Sequence, residues 1–510
     1  MMTAHDPLLA GGRAADQRPH AIVIGAGFGG LAAAVRLGAR GYRVTVLEKL
    51  DQPGGRASQF RQDGFTFDAG PTIITAPFIF EELWELCGRR LSDDVSLVSL
   101  DPFYTVRFDD GREFHASAND AAMEAEIAKF SPGDVAGYRR YLLESERCFM
   151  AGFLGMIDKP YASIGAMIRA LPDLVMRRAD RSVYKLVSKY IRNEQLRQAL
   201  SFHPLFIGGN PMRSSGVLSL ISYLEREYGV HYARGGTHSL VQGIVKLIAG
   251  QGGMIRTCAE VEQITVHDGR ATGVRLGNGE AIPASVVVSN ADAGWTYSKL
   301  LANHPRKRWT DRKIARAKYS MSLFVWYFGT NRQYQDVPHH TVMMGPRFAG
   351  LLHDIFDAKH LAEDFSLYLY RPSASDASMA PEGCDSFYVL APVPNLDGET
   401  DWASMAEPYR RKIEAHLAAT VLPGLEDHVV TSKVMTPADF RDRLLSLKGA
   451  AFGIEPVITQ LAWFRPHNAS EEVRNLFLVG AGTHPGAGLP GVVSSAKILD
   501  KVVPHASTVN

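Results

Sequence analysis

The sequence predicts an α/β protein whose parallel sheet is built from separated parts of the chain, with an α+β domain inserted between them. Three observations support this fold class. A short apolar run ends in a glycine-rich turn near residue 25, alternating runs with tight turns follow residue 260, and another apolar run ends in a glycine-rich loop near residue 480. Short continuous apolar runs are typical of buried parallel strands, whose sheets carry helices on both faces.

Length and composition describe an ordinary globular chain. At roughly 100–200 residues per domain, 510 residues predict two or three domains. Apolar residues make up 46% and charged residues 21% of the chain. The formal net charge of +1 gives no reason to expect a nucleic-acid partner, which usually requires a strong basic excess.

The cysteines and the N-terminal residues indicate in which cellular compartment the protein is expected. Cys87, Cys148, Cys258 and Cys384 are far apart, so neither a disulfide framework nor a metal site is expected, which fits a reducing cytoplasm. Residues 1–20 lack the pattern of a signal peptide and are expected to form a flexible tail. The sequence contains no uncharged apolar run of about eighteen residues, so no transmembrane helix is predicted.

The N-terminal region has the organisation of a dinucleotide cradle. Residues 21–24 predict a buried strand, 25–30 match the pattern GxGxxG, 31–37 predict a helix, and 42–48 predict a second strand. The helix would direct free N–H groups and a partial positive charge at a pyrophosphate. This context makes the glycine pattern specific for a nucleotide.

Each residue of the cradle has a physical role. Gly25 permits the tight turn, Gly27 lets the backbone approach a pyrophosphate, and Gly30 lets the helix pack closely on the sheet. Glu48 ends the second strand, where a carboxylate accepts hydrogen bonds from ribose hydroxyls.

A second glycine segment favours a flavin over a nicotinamide. Gly54 and Gly55 allow close backbone approach, and Arg56 can bind phosphate in a bidentate manner, although the two glycines alone are also consistent with a simple turn. Together with residues 64–71, this stretch resembles the N-terminal half of the amine-oxidase and carotenoid-desaturase flavoproteins. The resemblance implies that the Gly-Gly-Arg segment lies along FAD.

The middle of the chain reads as largely helical over residues 120–230. An apolar stripe at helical spacing is formed by Val183, Leu186, Val187, Tyr190 and Ile191. Residues 149–176 are apolar and precede Arg177, Arg178 and Arg181. Such a segment is consistent with an interfacial membrane contact or with a core helix that has a solvated basic edge.

A sheet-rich part and a closing glycine loop follow. Residues 260–264 and 271–276 predict a β-meander and 285–292 a buried strand, whereas 300–445 mix strands and helices without a motif. Residues 475–479 predict a strand, and five glycines within 480–491 allow contact with a flat ring before a helix begins. That helix would direct its positive end at the flavin N1/C2=O region, with Arg465 as an additional cation.

The closing segment makes the resemblance specific to bacterial-type phytoene desaturases. Agreement runs through residues 25–71, 202–209, 235–236 and 449–497, and the segments 101–104 and 202–209 are most similar to the purple-bacterial branch. The resemblance covers about residues 21–500.

The resemblance implies a domain organisation. A Rossmann-like FAD-binding domain of the amine-oxidase/GDI-like type is expected from residues 21–130, 231–300 and 445–505. A helical region that could face a membrane is expected at 131–230, and a substrate domain at 301–444.

The resemblance and the glycine patterns together predict the residues that contact FAD. They are Gly25, Gly27, Gly29, Gly30, Glu48, Lys49, Gly54, Gly55, Arg56, Val261, Gly480, Gly482, Gly488 and Val492. His484 is expected near the flavin, with either an acid/base or a positioning role. No catalytic residue is assigned, since Glu144, Glu146 and Glu225 read as surface acids on predicted helices.

The activity implied is stepwise desaturation of 15-cis-phytoene, by hydride transfer to flavin N5 with proton loss. A C40 polyene hydrocarbon has no polar group and must come from a bilayer, because moving it through water costs about 0.8 kcal/mol per CH₂. Residues 149–192 are therefore expected to dock on the membrane of a peripheral, cytoplasmic enzyme. The electron acceptor is expected to be a quinone or oxygen.

Other functions remain open from the sequence. The chain could be another carotenoid-acting flavoprotein, such as a later-step desaturase, a ketolase or an isomerase. It could also be a non-catalytic prenyl-lipid-binding protein of the GDI type, although intact segments at 54–56 and 480–491 argue against that. The number of double bonds introduced and the oligomeric state are not predicted.

Overall fold

The computed structural model describes residues 17–161, 165 and 181–509. Its strands are β1 (His20–Ile24), β2 (Arg43–Leu47), β3 (Gln59–Gln62), β4 (Phe65–Asp68), β5 (Leu97–Leu100), β6 (Tyr104–Arg107), β7 (Glu113–Ala116), β8 (Val230–Ala233), β9 (Met254–Arg256), β10 (Val261–His267), β11 (Arg270–Leu276), β12 (Ala281–Pro283), β13 (Val286–Ser289), β14 (Ser322–Thr330), β15 (His340–Met343), β16 (Leu367–Tyr370), β17 (Asp385–Val393), β18 (Val429–Met435) and β19 (Leu476–Leu478).

Helices connect these strands. The α-helices are α1 (Phe28–Ala39), α2 (Phe78–Glu85), α3 (Asp120–Phe130), α4 (Val135–Cys148), α5 (Val183–Ser188), α6 (Glu194–Ser201), α7 (Leu220–Tyr228), α8 (His238–Gly250), α9 (Ala293–Trp295), α10 (Asp311–Arg316), α11 (Phe348–His353), α12 (Trp402–Thr420), α13 (Pro437–Asp442), α14 (Leu489–Lys497) and α15 (Leu499–Val502). A π-helical turn, Phe149–Leu154, continues α4.

A five-stranded parallel sheet confirms the predicted α/β core. Its order is β19-β13-β1-β2-β9, so strands from the start, middle and end of the chain lie side by side. The apolar run at residues 21–24 is fully paired because β13 and β2 flank it on both sides. Helix α1, rich in small alanines, packs against α8 and α14 to cover one face of this sheet.

The predicted meander is present as the antiparallel sheet β10-β11-β12. Ile264, Val274 and Leu276 are buried in a shared cluster with Ile22 and Leu47 of the parallel sheet. The meander therefore covers the face of the parallel sheet opposite to the helices.

A seven-stranded sheet forms the second layer, in the order β18-β14-β17-β16-β15-β6-β7. Strand β14 is buried along its whole length, between β17 and β18. Strands β6 and β7 come from residues 21–130, which we expected in the nucleotide domain, but β6 pairs in parallel with β15 and joins this sheet. The remaining domain boundaries stay a prediction.

The helical middle region agrees with the sequence pattern where it is described. Val183, Leu186, Val187 and Ile191 of the predicted stripe are buried, and Tyr190 is half-buried. Residues 1–16, 162–164 and 166–180 lie outside the described residues, and with them most of the predicted tail and much of the predicted membrane face. Within the described ranges, no helix is long and apolar enough to cross a membrane.

Candidate active site

Side chains from both large sheets line one cavity of about 1190 Å³. Ten of the residues predicted to contact FAD lie on its wall. They are Gly25, Gly27, Glu48, Lys49, Gly54, Gly55, Arg56, Val261, Gly488 and Val492. The other four, Gly29, Gly30, Gly480 and Gly482, lie behind this wall and support it.

These supporting glycines are required by close backbone contacts. A Cβ on Gly30 would lie 2.0 Å from the carbonyl oxygen of Gly25, so helix α1 could not start against the turn. A Cβ on Gly29 would lie 2.5 Å from Asn290 Oδ1 and 2.9 Å from the Cα of Gly480. The N-terminal turn and the closing loop therefore touch directly through positions without side chains.

Glu48 holds the shape of the turn from the end of β2. Its Oε2 accepts a hydrogen bond from the backbone N–H of Ala26 at 2.7 Å, and its Oε1 accepts one from Leu50 at 2.9 Å. Burial raises the pKa of the Glu48 carboxyl, and these hydrogen bonds oppose that effect. The carboxylate thus faces the cavity at the place where the sequence predicts a ribose contact.

The Gly-Gly-Arg segment lies beside the first glycine turn. Gly54 forms an isolated parallel bridge with Gly27 and has a φ of 121°, which strongly favours glycine. Arg56 donates to Ser446 Oγ at 2.7 Å, and its Nε has no partner in the described part of the chain. Arg56 thus places a guanidinium on the cavity wall, which fits a phosphate or flavin oxygen.

Asn290 and Asp292 are site residues that the sequence reasoning did not identify. Asn290 directly follows β13, Asp292 comes two residues later, and both line the cavity. Asn290 donates to the carbonyl of Gly25 at 3.4 Å, and Asp292 caps α9 through Gly294 and Trp295. The sequence could have indicated both residues, since ligands bind at the carboxyl ends of parallel strands and these residues come just after such a strand.

Arg465 is a buried cation with carbonyl partners. Its side chain is 1% exposed, and Nη2 donates to the carbonyls of Ile454 at 2.9 Å and Ala481 at 3.1 Å. Its Nε has no partner among the described residues, and burial lowers the pKa of Arg465 only to about 10. The guanidinium is therefore charged at neutral pH and directly contacts the closing loop.

His484 connects the closing loop to the segment after α4. Its Nε2 lies 3.0 Å from the carbonyl of Met156, and its ring contacts Tyr161 edge to face. Burial, with the charge of Arg465 as a further contribution, lowers the pKa of His484 to about 4. The imidazole is neutral at pH 7, so Nε2–H donates to the carbonyl, which supports the positioning role.

The remaining wall of the cavity is predominantly apolar. It includes Phe153 and Ile157 of the segment after α4, Phe206 after α6, and Leu323 and Val325 of β14. A wall of this kind binds a long hydrocarbon through burial of apolar surface. Among the described residues, no cluster of side chains is suited to hold a metal ion.

The prediction that Glu225 is a surface acid is wrong. Its side chain is 4% exposed and lies on the cavity wall, where it contacts Tyr104 and His203. These partners come from distant segments, and their hydrogen bonds make burial of a carboxylate possible. Glu144 and Glu146 are half-buried on α4 and do not line the cavity.

The cradle fits FAD on structural grounds. Glycine positions that cannot carry a Cβ surround the first turn, and a carboxylate stands at the end of β2. A buried cation adjoins a second glycine loop in the same cavity. These features match a pyrophosphate, a ribose and a ring that becomes negatively charged on reduction.

Comparison with known proteins shows which family and which relatives this chain is similar to. Residues 28–498 match the family model described as flavin containing amine oxidoreductase. A phytoene desaturase (neurosporene-forming) from Cereibacter sphaeroides is 52% identical, over 96% of each chain. A phytoene desaturase (lycopene-forming) from Pseudescherichia vulneris is 49% identical, over 93% of this chain and 97% of its own.

A solved structure shows the same fold at low identity. Cyclohexylamine oxidase from Brevibacterium oxydans superposes with a TM-score of 0.59 at 16% identity, over 95% of this chain and 98% of its own. This likeness concerns the fold alone.

The close packing at Gly30 is tested by Gly30→Ala. The added Cβ would overlap the Gly25 carbonyl, so we expect the purified variant to retain less than about a tenth of the wild-type FAD. Gly133→Ala is the matched control, because a Cβ there meets no atom within 4 Å. The measurement is flavin absorbance per mole of purified protein. Full FAD content in Gly30→Ala would contradict this account of the cradle.

Proposed function

Because the chain belongs to the family of flavin-containing amine oxidoreductases, and within it to the bacterial phytoene desaturases, we propose that it desaturates 15-cis-phytoene. The reaction proceeds stepwise, through phytofluene and ζ-carotene to neurosporene, lycopene or both. It is an oxidoreductase of carotenoid biosynthesis, and its cofactor is FAD. One observation carries the proposal: the glycine cradle and the apolar wall belong to a single cavity.

When bound in this cradle, FAD would supply the oxidising power needed to remove a hydride from an allylic carbon of the polyene. The residues of this chain perform the remaining tasks. Gly27 and Gly54 bring the backbone close to the cofactor, while Glu48 orients the turn that holds it. The apolar wall aligns the polyene and excludes water, which raises the rate by proximity and protects the reaction from solvent.

Arg465 is suited to stabilise negative charge on the reduced flavin. A hydrocarbon substrate offers no counter-charge, and the described residues give the guanidinium only carbonyl partners. A buried charge that lacks a counter-ion is costly, so a bound anion beside Ala481 would be strongly favoured. The positive end of α14 would reinforce this effect from the same loop.

The membrane surface is the proposed source of substrate. Met150 and Leu154 lie on the π-helical turn and are 54% and 48% exposed. Gly152 and Phe153 of the same turn line the cavity, so the apolar surface adjoins the cavity wall. Arg147 and Lys159 flank this turn and are exposed, as expected for contact with anionic lipid headgroups.

This arrangement supports peripheral association with the cytoplasmic face of the membrane. A polyene could pass from the bilayer into the apolar cavity without crossing water. The reduced flavin would then be reoxidised by a membrane quinone or by oxygen.

Expression in a phytoene-accumulating bacterium tests the proposed activity. We expect coloured polyenes to appear at the expense of phytoene, because the cavity binds the hydrocarbon beside the flavin. Chromatography and the absorption spectra of the products count the double bonds introduced. Unchanged phytoene, in cells whose purified protein carries FAD, would contradict the proposal.

The double variant Met150→Asp/Leu154→Asp tests the membrane contact. Burial of each side chain in lipid contributes roughly 1.5–3 kcal/mol, so we expect at least about a tenfold loss of binding to anionic vesicles. Met405→Asp/Val430→Asp adds the same charge at other exposed apolar positions and serves as the control. Flotation of the purified holoprotein with the vesicles measures binding. Equal flotation of both double variants would reject this contact.

Arg465→Gln tests the electrostatic role of the buried cation. Loss of about 1.4 kcal/mol of stabilisation of the reduced flavin corresponds to a fall of about 30 mV in the two-electron potential. We therefore expect at least this fall in Arg465→Gln, and a smaller one in Arg465→Lys, by spectroelectrochemical titration. Arg411→Gln, at a 73% exposed arginine of α12, is the control. An unchanged flavin potential in Arg465→Gln would contradict the proposed electrostatic role of Arg465.

A further inference from the structure

A buried carboxylate stands in the apolar part of the cavity with two polar partners. The hydroxyl of Tyr104 donates to Glu225 Oε2 at 2.9 Å and lies 2.8 Å from His203 Nε2. His203 Nε2 is itself 3.3 Å from the same Oε2. The three groups thus form a triangle in which each polar atom is within reach of the other two.

Three separate elements build this triangle. Tyr104 begins β6, His203 follows α6, and Glu225 lies on α7. Tyr104 and His203 belong to the sequence segments 101–104 and 202–209, which the FAD cradle does not use. Glu225 lines the cavity together with Phe202, whose ring stacks on that of His203 at 4.7 Å.

The other acidic side chains on the cavity wall already have structural tasks. Glu48, Asp292 and Asp439 accept hydrogen bonds from backbone N–H groups of a turn and two helix starts. Glu260 is half exposed and pairs with Lys49 at 3.6 Å. Glu225 alone among these lining acids is buried, holds no backbone N–H and has only side-chain partners, Tyr104 and His203.

Desaturation requires a group of this kind. When a hydride leaves one carbon, the adjacent carbon must lose a proton so that the electron pair of its C–H bond can form the new π bond. A neighbouring base accelerates such a step if it lies within reach of the proton. A predominantly apolar wall provides few groups that can accept it.

We propose that Glu225 is the catalytic base that accepts this proton, and that Tyr104 and His203 are its positioning residues. In each cycle the hydride goes to FAD, the C–H electron pair becomes the double bond, and the proton binds a Glu225 carboxylate oxygen. The Tyr104 hydroxyl donates to Glu225 Oε2, so His203 Nε2–H donates in turn to the Tyr104 oxygen, and the two residues hold the carboxylate in place for this step. This inference rests on the proposed desaturase function.

Tyr104 is fitted to hold the carboxylate in place. Burial, and next the negative charge of Glu225, keep the pKa of Tyr104 well above its ordinary value. The phenol therefore remains a hydrogen-bond donor throughout the cycle and does not compete for the proton. Its ring is fixed by an edge-to-face contact with Phe202 at 5.6 Å.

Two substitutions of Glu225 distinguish a role as catalytic base from a purely structural role. Glu225→Gln keeps the shape and still accepts the Tyr104 hydrogen bond, but it cannot act as a base. Glu225→Asp keeps a carboxylate and shortens the side chain. A catalytic base predicts that Asp retains more activity than Gln, whereas a purely structural role predicts the opposite order.

The measurement is the rate at which phytoene, supplied in vesicles, bleaches the flavin of the purified holoprotein under anaerobic conditions. We expect Glu225→Gln to lower this rate about 10²–10⁴-fold, with unchanged FAD content, melting temperature and phytoene binding. Glu225→Asp, Tyr104→Phe and His203→Gln should show intermediate rates. Glu227→Gln, at an exposed acid two residues further along α7, is the matched control.

The outcomes distinguish this proposal from the proposed function. A wild-type flavin that phytoene does not bleach would overturn both. Wild-type bleaching with an equal rate in Glu225→Gln, or with Gln more active than Asp, would overturn the role of Glu225 alone.

Discussion

The backbone contact between the two glycine loops is the constraint on which the whole site depends. Strand β13 lies between β1 and β19, so the turn after β1 and the loop after β19 emerge at the same edge of the sheet. Gly29 and Gly480 meet there, with Asn290 between them. Because no side chain fits at this point, two backbone segments about 450 residues apart in sequence contact each other directly and support the same cavity wall.

Hydrogen bonds then connect the seven-stranded sheet to the segment that follows β4, on the wall of the same cavity. Thr72 Oγ1 lies 2.8 Å from the hydroxyls of both Tyr368 and Tyr388, and Tyr388 also donates to the carbonyl of Gly70 at 3.0 Å. All three side chains line the cavity, and their polar atoms satisfy one another. The wall can therefore hold hydroxyl groups and still present an apolar surface to a hydrocarbon.

The sequence predicted the parts of the fold that depend on local patterns. Apolar runs, glycine turns and helical spacing identified β1, α1, β13 and β19, and the glycine patterns together with the family resemblance located ten residues of the cavity wall. Glu225 was misjudged because a carboxylate on a helix is buried only when partners from elsewhere accept or donate hydrogen bonds. Its partners lie 121 and 22 residues away, a relationship that no local pattern contains.

The assignment of β6 and β7 failed for a related reason. A short strand of four residues carries no information about which sheet it will join, and the pairing of β6 with β15 depends on residues 341–343. Asn290, by contrast, could have been found, because it directly follows a predicted buried strand. For predicting a site residue, a position at the end of a parallel strand was more informative than the chemistry of the side chain alone.

A crystal structure of the holoprotein with a bound C40 polyene tests the central claim most directly. The account predicts the FAD pyrophosphate at the N-terminus of α1, and the polyene in the apolar part of the same cavity with one C–H bond facing the flavin. Density for the polyene outside the cavity, or for the flavin ring away from the 480–491 loop, would contradict it.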